Sequence, residues 1–119
     1  MWTSLFIPGG SKEQADWFNE MQRMSTSPEN AVRYAQAVAE VDVTGLLPQV
    51  RVPTLVMHAR EEMRVPLEAS RRMAAGIPGA RFVPLQSSNH LILEHEPAFL
   101  RFVEEIISFL RMPGKAATQ

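Results

Sequence analysis

The sequence predicts an α/β protein, with helices over its first 50 residues and then a β-α-β-α unit carrying two parallel strands. Three observations carry that expectation. The run Pro53-Thr54-Leu55-Val56-Met57-His58 is short, continuous and apolar, which suits a strand buried on both faces of a parallel sheet. Arg81-Phe82-Val83-Pro84-Leu85 is a second run of this kind. Between and after the two runs, apolar residues recur at the three-to-four-residue spacing of a helix face rather than at strand alternation.

From the N-terminus, Trp2 to Ile7 is a short apolar stretch that could supply a third strand. Ser11 is placed to cap a helix over Lys12 to Met24, its hydroxyl accepting from an otherwise unpaired N–H of the first turn. Trp17, Met21 and Met24 fall on one face of that helix and are expected in the core, the commoner fate of such a stripe. Ser27-Pro28-Glu29 starts a second helix, with proline where its missing N–H costs nothing. Ala31, Val32, Ala35, Val38 and Ala39 give it a small-residue apolar face. Asp42 to Val50 is a connector broken by Gly45 and Pro48.

Past the first strand, Leu67 to Ile77 is a helix with Ala69, Met73 and Ile77 on one face, ended by Gly76, Pro78 and Gly79. Pro84 cannot donate to a ladder, so the second strand belongs near the sheet edge. Pro97 opens the last helix, where Phe99, Phe102, Val103, Ile106, Phe109 and Leu110 form an apolar stripe. Pro113-Gly114 stops it, and residues 113–119 are expected to be a disordered tail.

With 119 residues the chain has room for one domain. Twelve Lys+Arg against 13 Asp+Glu leave a net charge of −1, which argues against nucleic-acid or polybasic membrane partners. The absence of cysteine excludes disulfides, thiolate nucleophiles and Cys-ligated zinc. The start has no basic segment ahead of an apolar run, and no stretch reaches the roughly 18 apolar residues of a membrane span. The expectation is a soluble, cytoplasmic protein. Two strands are too few for a stable sheet, since a buried parallel strand needs neighbours on both sides. The first strand is therefore expected to be completed by self-association or by a missing N-terminal half. The sequence reads as the end of a larger fold, cut short at a methionine inside it.

The residues from Arg51 to Leu110 resemble the C-terminal part of the α/β-hydrolase fold. The resemblance rests on Val52-Pro53-Thr54-Leu55-Val56-Met57-His58, Val65-Pro66, Ile77-Pro78-Gly79-Ala80, Asn89-His90, Glu96-Pro97 and Phe109-Leu110. In that family a strand ends in His-Gly, two residues and then the catalytic Asp follow, and a second strand leads to the catalytic His. The resemblance implies a partial α/β-hydrolase fold: a helical cap-like segment over 1–50, then the closing β-α-β-α over 51–112. It further implies similarity to hydrolase-like domains found alone or joined to bacterial cyclase and helix-turn-helix regulator proteins.

On this resemblance Glu62 stands at the position of the acid and His90 at that of the base, in a mechanism for ester or amide hydrolysis. Three departures accompany it. Ala59 replaces the usual Gly, Glu62 replaces Asp, and Asn89 replaces the common Gly before the histidine. The Gly-x-Ser-x-Gly nucleophile elbow is absent; its nearest match is Gly9-Gly10-Ser11-Lys12-Glu13, where the helix-cap role of Ser11 is the better account. His58 and Glu61 have a metal-ligand spacing, but with no clear third ligand they are expected to be a strand-end histidine and a solvated acid. His95 is expected at the surface. No metal or cofactor is implied. The expected partner is a small ester, amide or other ligand, and the isolated chain is expected to be inactive. The alternative is a non-catalytic ligand-sensing or protein-interaction domain of a bacterial regulatory protein.

Overall fold

The computed structural model of the chain describes residues 2–113. In order they form α1 (Thr3–Phe6), α2 (Lys12–Ser25), α3 (Pro28–Ala39), a 3-10 helix (Thr44–Gln49), β1 (Leu55–Ala59), α4 (Leu67–Gly76), β2 (Arg81–Leu85) and α5 (Ala98–Arg111). The predicted tail from residue 114 onward lies outside the described residues.

The two strands pair in parallel, Leu55 opposite Arg81 through Ala59 opposite Leu85. This is the predicted β-α-β-α unit of a partial α/β-hydrolase fold. Pro84 sits opposite His58 in a strand whose one neighbour among the described residues is β1, so its missing N–H leaves a single edge to satisfy. Helix α4 packs on both strands and on the 3-10 helix, and α5 also packs on both strands. Val83, Leu85 and Ala98 form the buried core, with Leu55, Met57, Ile92 and Phe102 against it. Gly79 turns the chain from α4 into β2 at φ 71, a left-handed geometry that glycine adopts without a Cβ clash. Gly76 is needed for a different reason. A Cβ there would meet the Leu47 side chain at 2.9 Å, so glycine lets α4 close on the 3-10 helix.

Two expectations are corrected, and two helix faces prove largely open. Trp2 to Ile7 adds no strand: Thr3–Phe6 is one helical turn, and the sheet among the described residues has two strands. The Trp17, Met21 and Met24 stripe is not core; the three are 65, 39 and 74% exposed, and Phe18 is the residue α2 buries. Helix α2 meets α1 rather than the sheet, so the small target it covers takes Phe18 alone. Helix α3 buries no residue, and its apolar face, Val32 and Val38 included, lies open. On α4, Met73 is exposed, and Ala74 and Ile77 are the apolar residues buried.

The molecule is extended for its length. Its radius of gyration is 16.6 Å, against about 13–14 Å for a compact domain of this size. The core is correspondingly shallow, and no large side chain among the described residues reaches full burial. Leu85, at 2% exposure, is the deepest apolar residue. Leu85→Ala is expected to lower the unfolding free energy by about 2–5 kcal/mol, read as a fall in the urea midpoint, because the shallow sheet has little with which to refill the cavity.

Candidate active site

Parallel strands deliver the loops at their C-terminal ends to the same side of the sheet. The loop after β1 carries Glu62 and the loop after β2 carries His90. Hydrogen bonding continues past the strand ends: the Arg60 N–H donates to the Leu85 carbonyl at 2.9 Å and the Glu61 N–H to the Ser87 carbonyl at 3.1 Å. The two loops are thus tied together before either functional side chain is reached.

Glu62 is buried, with its side chain 2% exposed. Its Oε2 accepts from the backbone N–H groups of Arg64 and Val65, the latter at 2.9 Å. Its Oε1 lies 3.1 Å from His90 Nδ1 and 3.2 Å from His58 Nε2. Burial pushes the Glu62 carboxyl up, but the N–H of Val65, the His90 ring, the N–H of Arg64 and the charge His90 can carry together outweigh it. The net result is a carboxyl held below its ordinary range.

His90 is held from several directions. Its backbone N–H donates to the Phe6 carbonyl at 2.7 Å, and the Leu91 N–H reaches the same oxygen at 3.2 Å. The Phe6 ring meets the His90 ring edge-on, with centroids 5.0 Å apart and planes at 90°. One residue earlier, buried Asn89 accepts from the Gly9 N–H at 2.8 Å and donates to Glu96 Oε2 at 2.7 Å. Gly9 has to be small here, since a Cβ would come within 3.1 Å of the Asn89 amide. The segment around α1 therefore clamps the histidine loop from outside the sheet.

A carboxylate can only accept, so the Glu62–His90 contact places the proton of a neutral imidazole on Nδ1. Nε2 is left with its lone pair, on a side chain 32% exposed. Such a pair can take a proton at Nε2 while the carboxylate steadies the resulting cation. Among the described residues no hydroxyl hydrogen-bonds His90.

Ser11 is occupied as a helix cap. Its Oγ accepts from the Gln14 N–H at 3.1 Å, while its N–H donates to Gln14 Oε1 at 2.9 Å. His95 is exposed and 3.4 Å from the Gln14 amide. Glu61 is exposed as expected, but His58 is not a bystander: it is 7% exposed and its carboxylate neighbour is Glu62. Sequence reasoning paired His58 with the wrong acid; the four-residue spacing to Glu62 was equally visible. Ala59 ends β1 opposite Leu85 in the ladder, so the conformational freedom of the glycine it replaces is not used. Asn89 contributes its amide rather than a backbone conformation. A shallow concavity of about 540 Å³ lies along the end of α5, beside Glu104, Ile107, Arg111 and Met112, and includes neither Glu62 nor His90.

RutD of Pseudomonas savastanoi pv. phaseolicola, named as a carbamate hydrolase, is 32% identical over 82 residues, 69% of this chain and 31% of that protein. The AB hydrolase superfamily protein YisY of Bacillus subtilis is 26% identical over 80 residues, 67% of this chain and 30% of that protein. The chain is related to the α/β-hydrolases. The non-heme chloroperoxidase CPO-A1 of Kitasatospora aureofaciens matches in the same way, at 30% over 105 residues, 87% of this chain and 37% of that protein. The chain spans about a third of the length of these α/β-hydrolase relatives. No family model matches it, and no solved structure does so significantly. No helix among the described residues is long and apolar enough to cross a membrane.

The lowered Glu62 carboxyl fixes the sign of a pH effect. A group whose native value lies below its unfolded value contributes stability that is complete above the unfolded value. That contribution is lost as pH falls through the native one. Acidification from neutrality into the carboxylate range should destabilise the wild type, and Glu62→Gln should lack that component. Urea midpoints of the two proteins across this pH range are expected to converge at the acid end.

Proposed function

We propose that Glu62 and His90 are the acid and base of a serine-hydrolase-type site for esters or amides. The Glu62 Oε1–His90 Nδ1 contact of 3.1 Å, on a carboxylate tethered by two backbone N–H groups, carries the reading. In it His90 Nε2 takes the proton of an attacking hydroxyl and returns it to the leaving group, while Glu62 stays ionised and holds the ring. The hydroxyl and the oxyanion hole come from outside the described residues, from a preceding half of the fold or from a partner. The names of the relatives support acyl-type hydrolysis as the class, and carbamates are one substrate type among them.

The chain alone is expected to hydrolyse p-nitrophenyl acetate no faster than free imidazole. A chimera in which it replaces the matching part of RutD is expected to turn over the substrate of the parent. His90→Ala should then cost about a thousandfold or more in kcat, as removal of a triad member does. A chimera indifferent to His90→Ala would overturn the reading.

The absence among the described residues of any hydroxyl on His90, whose side chain is 32% exposed, favours a second reading: a ligand-sensing or interaction domain of a bacterial regulatory protein, in which the pair binds without turnover. An active His90-dependent chimera would exclude it.

We also propose that the chain self-associates, since β1 and β2 each leave one edge without a strand among the described residues. Light scattering is expected to show a dimer or larger species, and a stable monomer would count against this.

A further inference from the structure

We propose that His58 is a positioning residue for the site: it bonds the Val65 carbonyl, packs 3.2 Å from Glu62 Oε1, and so holds the loop that aims that oxygen at His90. The inference rests on the acid–base reading of Glu62 and His90 and adds a member to it. His58 sits in β1, inside the sheet rather than on a loop, and is 7% exposed. Both of its ring nitrogens are engaged. Nδ1 is 2.7 Å from Ser70 Oγ on α4, and Nε2 is 2.9 Å from the Val65 carbonyl and 3.2 Å from Glu62 Oε1.

These partners settle the tautomer. A carbonyl oxygen can only accept, so the hydrogen of a neutral ring must be on Nε2. Nδ1 then accepts from the Ser70 hydroxyl. The Nε2–H donates to the Val65 carbonyl, and the same nitrogen lies 3.2 Å from Glu62 Oε1. Val65 also donates its own N–H to Glu62 Oε2. One buried imidazole therefore ties the carboxylate, the loop that carries it and helix α4 into one unit.

The consequence for the reaction lies in Oε1. Oε1 lies between His58 and His90, at 3.2 and 3.1 Å, on a side chain only 2% exposed to water. Oε2 is held by backbone, so His58 is the side chain besides His90 that governs where Oε1 points. Outer partners of this kind orient a functional side chain as much as its own rotamer does.

The test is proton NMR of the hydrogen-bonded His90 Nδ1–H in the full chain, with circular dichroism to check folding. Wild type is expected to show this proton shifted downfield and protected from exchange with water, and Glu62→Gln should abolish the signal. His58→Phe should shift it back toward the unbonded position or lose it to exchange. His58→Gln, which can offer an amide N–H in place of Nε2–H, should restore it. A folded His58→Phe protein with an unchanged His90 signal overturns the proposal and leaves the acid–base reading intact. If His58→Phe does not fold, Ser70→Ala decides the matter. Loss of the hydroxyl frees the ring to turn, so a weakened His90 signal supports the proposal and an unchanged one overturns it. An indifferent chimera alongside a His58-sensitive signal would sink the acid–base reading while the positioning role stands.

Discussion

The structure around the site is organised by one buried carboxylate. Glu62 has its side chain 2% exposed and spends both oxygens on fixed donors: two backbone N–H groups of its own loop at Oε2 and the His90 ring at Oε1, with His58 Nε2 a further 3.2 Å contact. A carboxylate this far from water is costly unless its lone pairs are satisfied. That demand couples parts of the chain distant in sequence. The loop after β1 must fold back on itself, His58 must present Nε2, and the loop after β2 must bring His90 within reach. Shorten or redirect any of these and the carboxylate is left buried and under-paired.

The N-terminal helices matter for the same reason, at one remove. They contribute little to the core, and α3 contributes no buried residue at all. What α1 and its following turn do contribute is hydrogen bonding to the histidine loop. The Phe6 carbonyl accepts from His90 and Leu91, the Phe6 ring braces the imidazole, and the Gly9 N–H meets Asn89. In a loop without regular structure, these contacts replace the ladder that holds β2. Asn89 is the joint: its amide links the segment at Gly9 to Glu96, which also accepts from the Leu93 N–H at 2.7 Å. The glycine common before such a histidine in the related family could not make this connection.

The rest of the molecule is thinly packed. Trp17, Tyr34, Leu100 and Leu110 are exposed, and the sheet has two strands among the described residues. The relatives are about three times as long as the matched stretch. Glu62 and His90 are held together all the same, because their contacts come from the strand ends and the α1 segment.

The sequence by itself determined the local elements and their order. Continuous apolar runs marked β1 and β2, Ser11 and Ser27 marked helix starts, and the resemblance to α/β-hydrolase motifs pointed to Glu62 and His90. These signals are legible because capping, strand burial and loop position depend on residues near one another in the chain. Which faces are buried was not legible. Trp17, Met21 and Met24 have the right period for a core stripe, yet periodicity says only that a face exists, and what lies opposite it is a tertiary fact. The partnership of His58 with Glu62 was likewise decided in three dimensions. Four residues separate them across a strand end and a turn, and only the closure of that turn determines whether Glu61 or Glu62 points inward. The clamp of Phe6 and Gly9 on Asn89 and His90 spans some 80 residues, and no local pattern encodes a contact of that range.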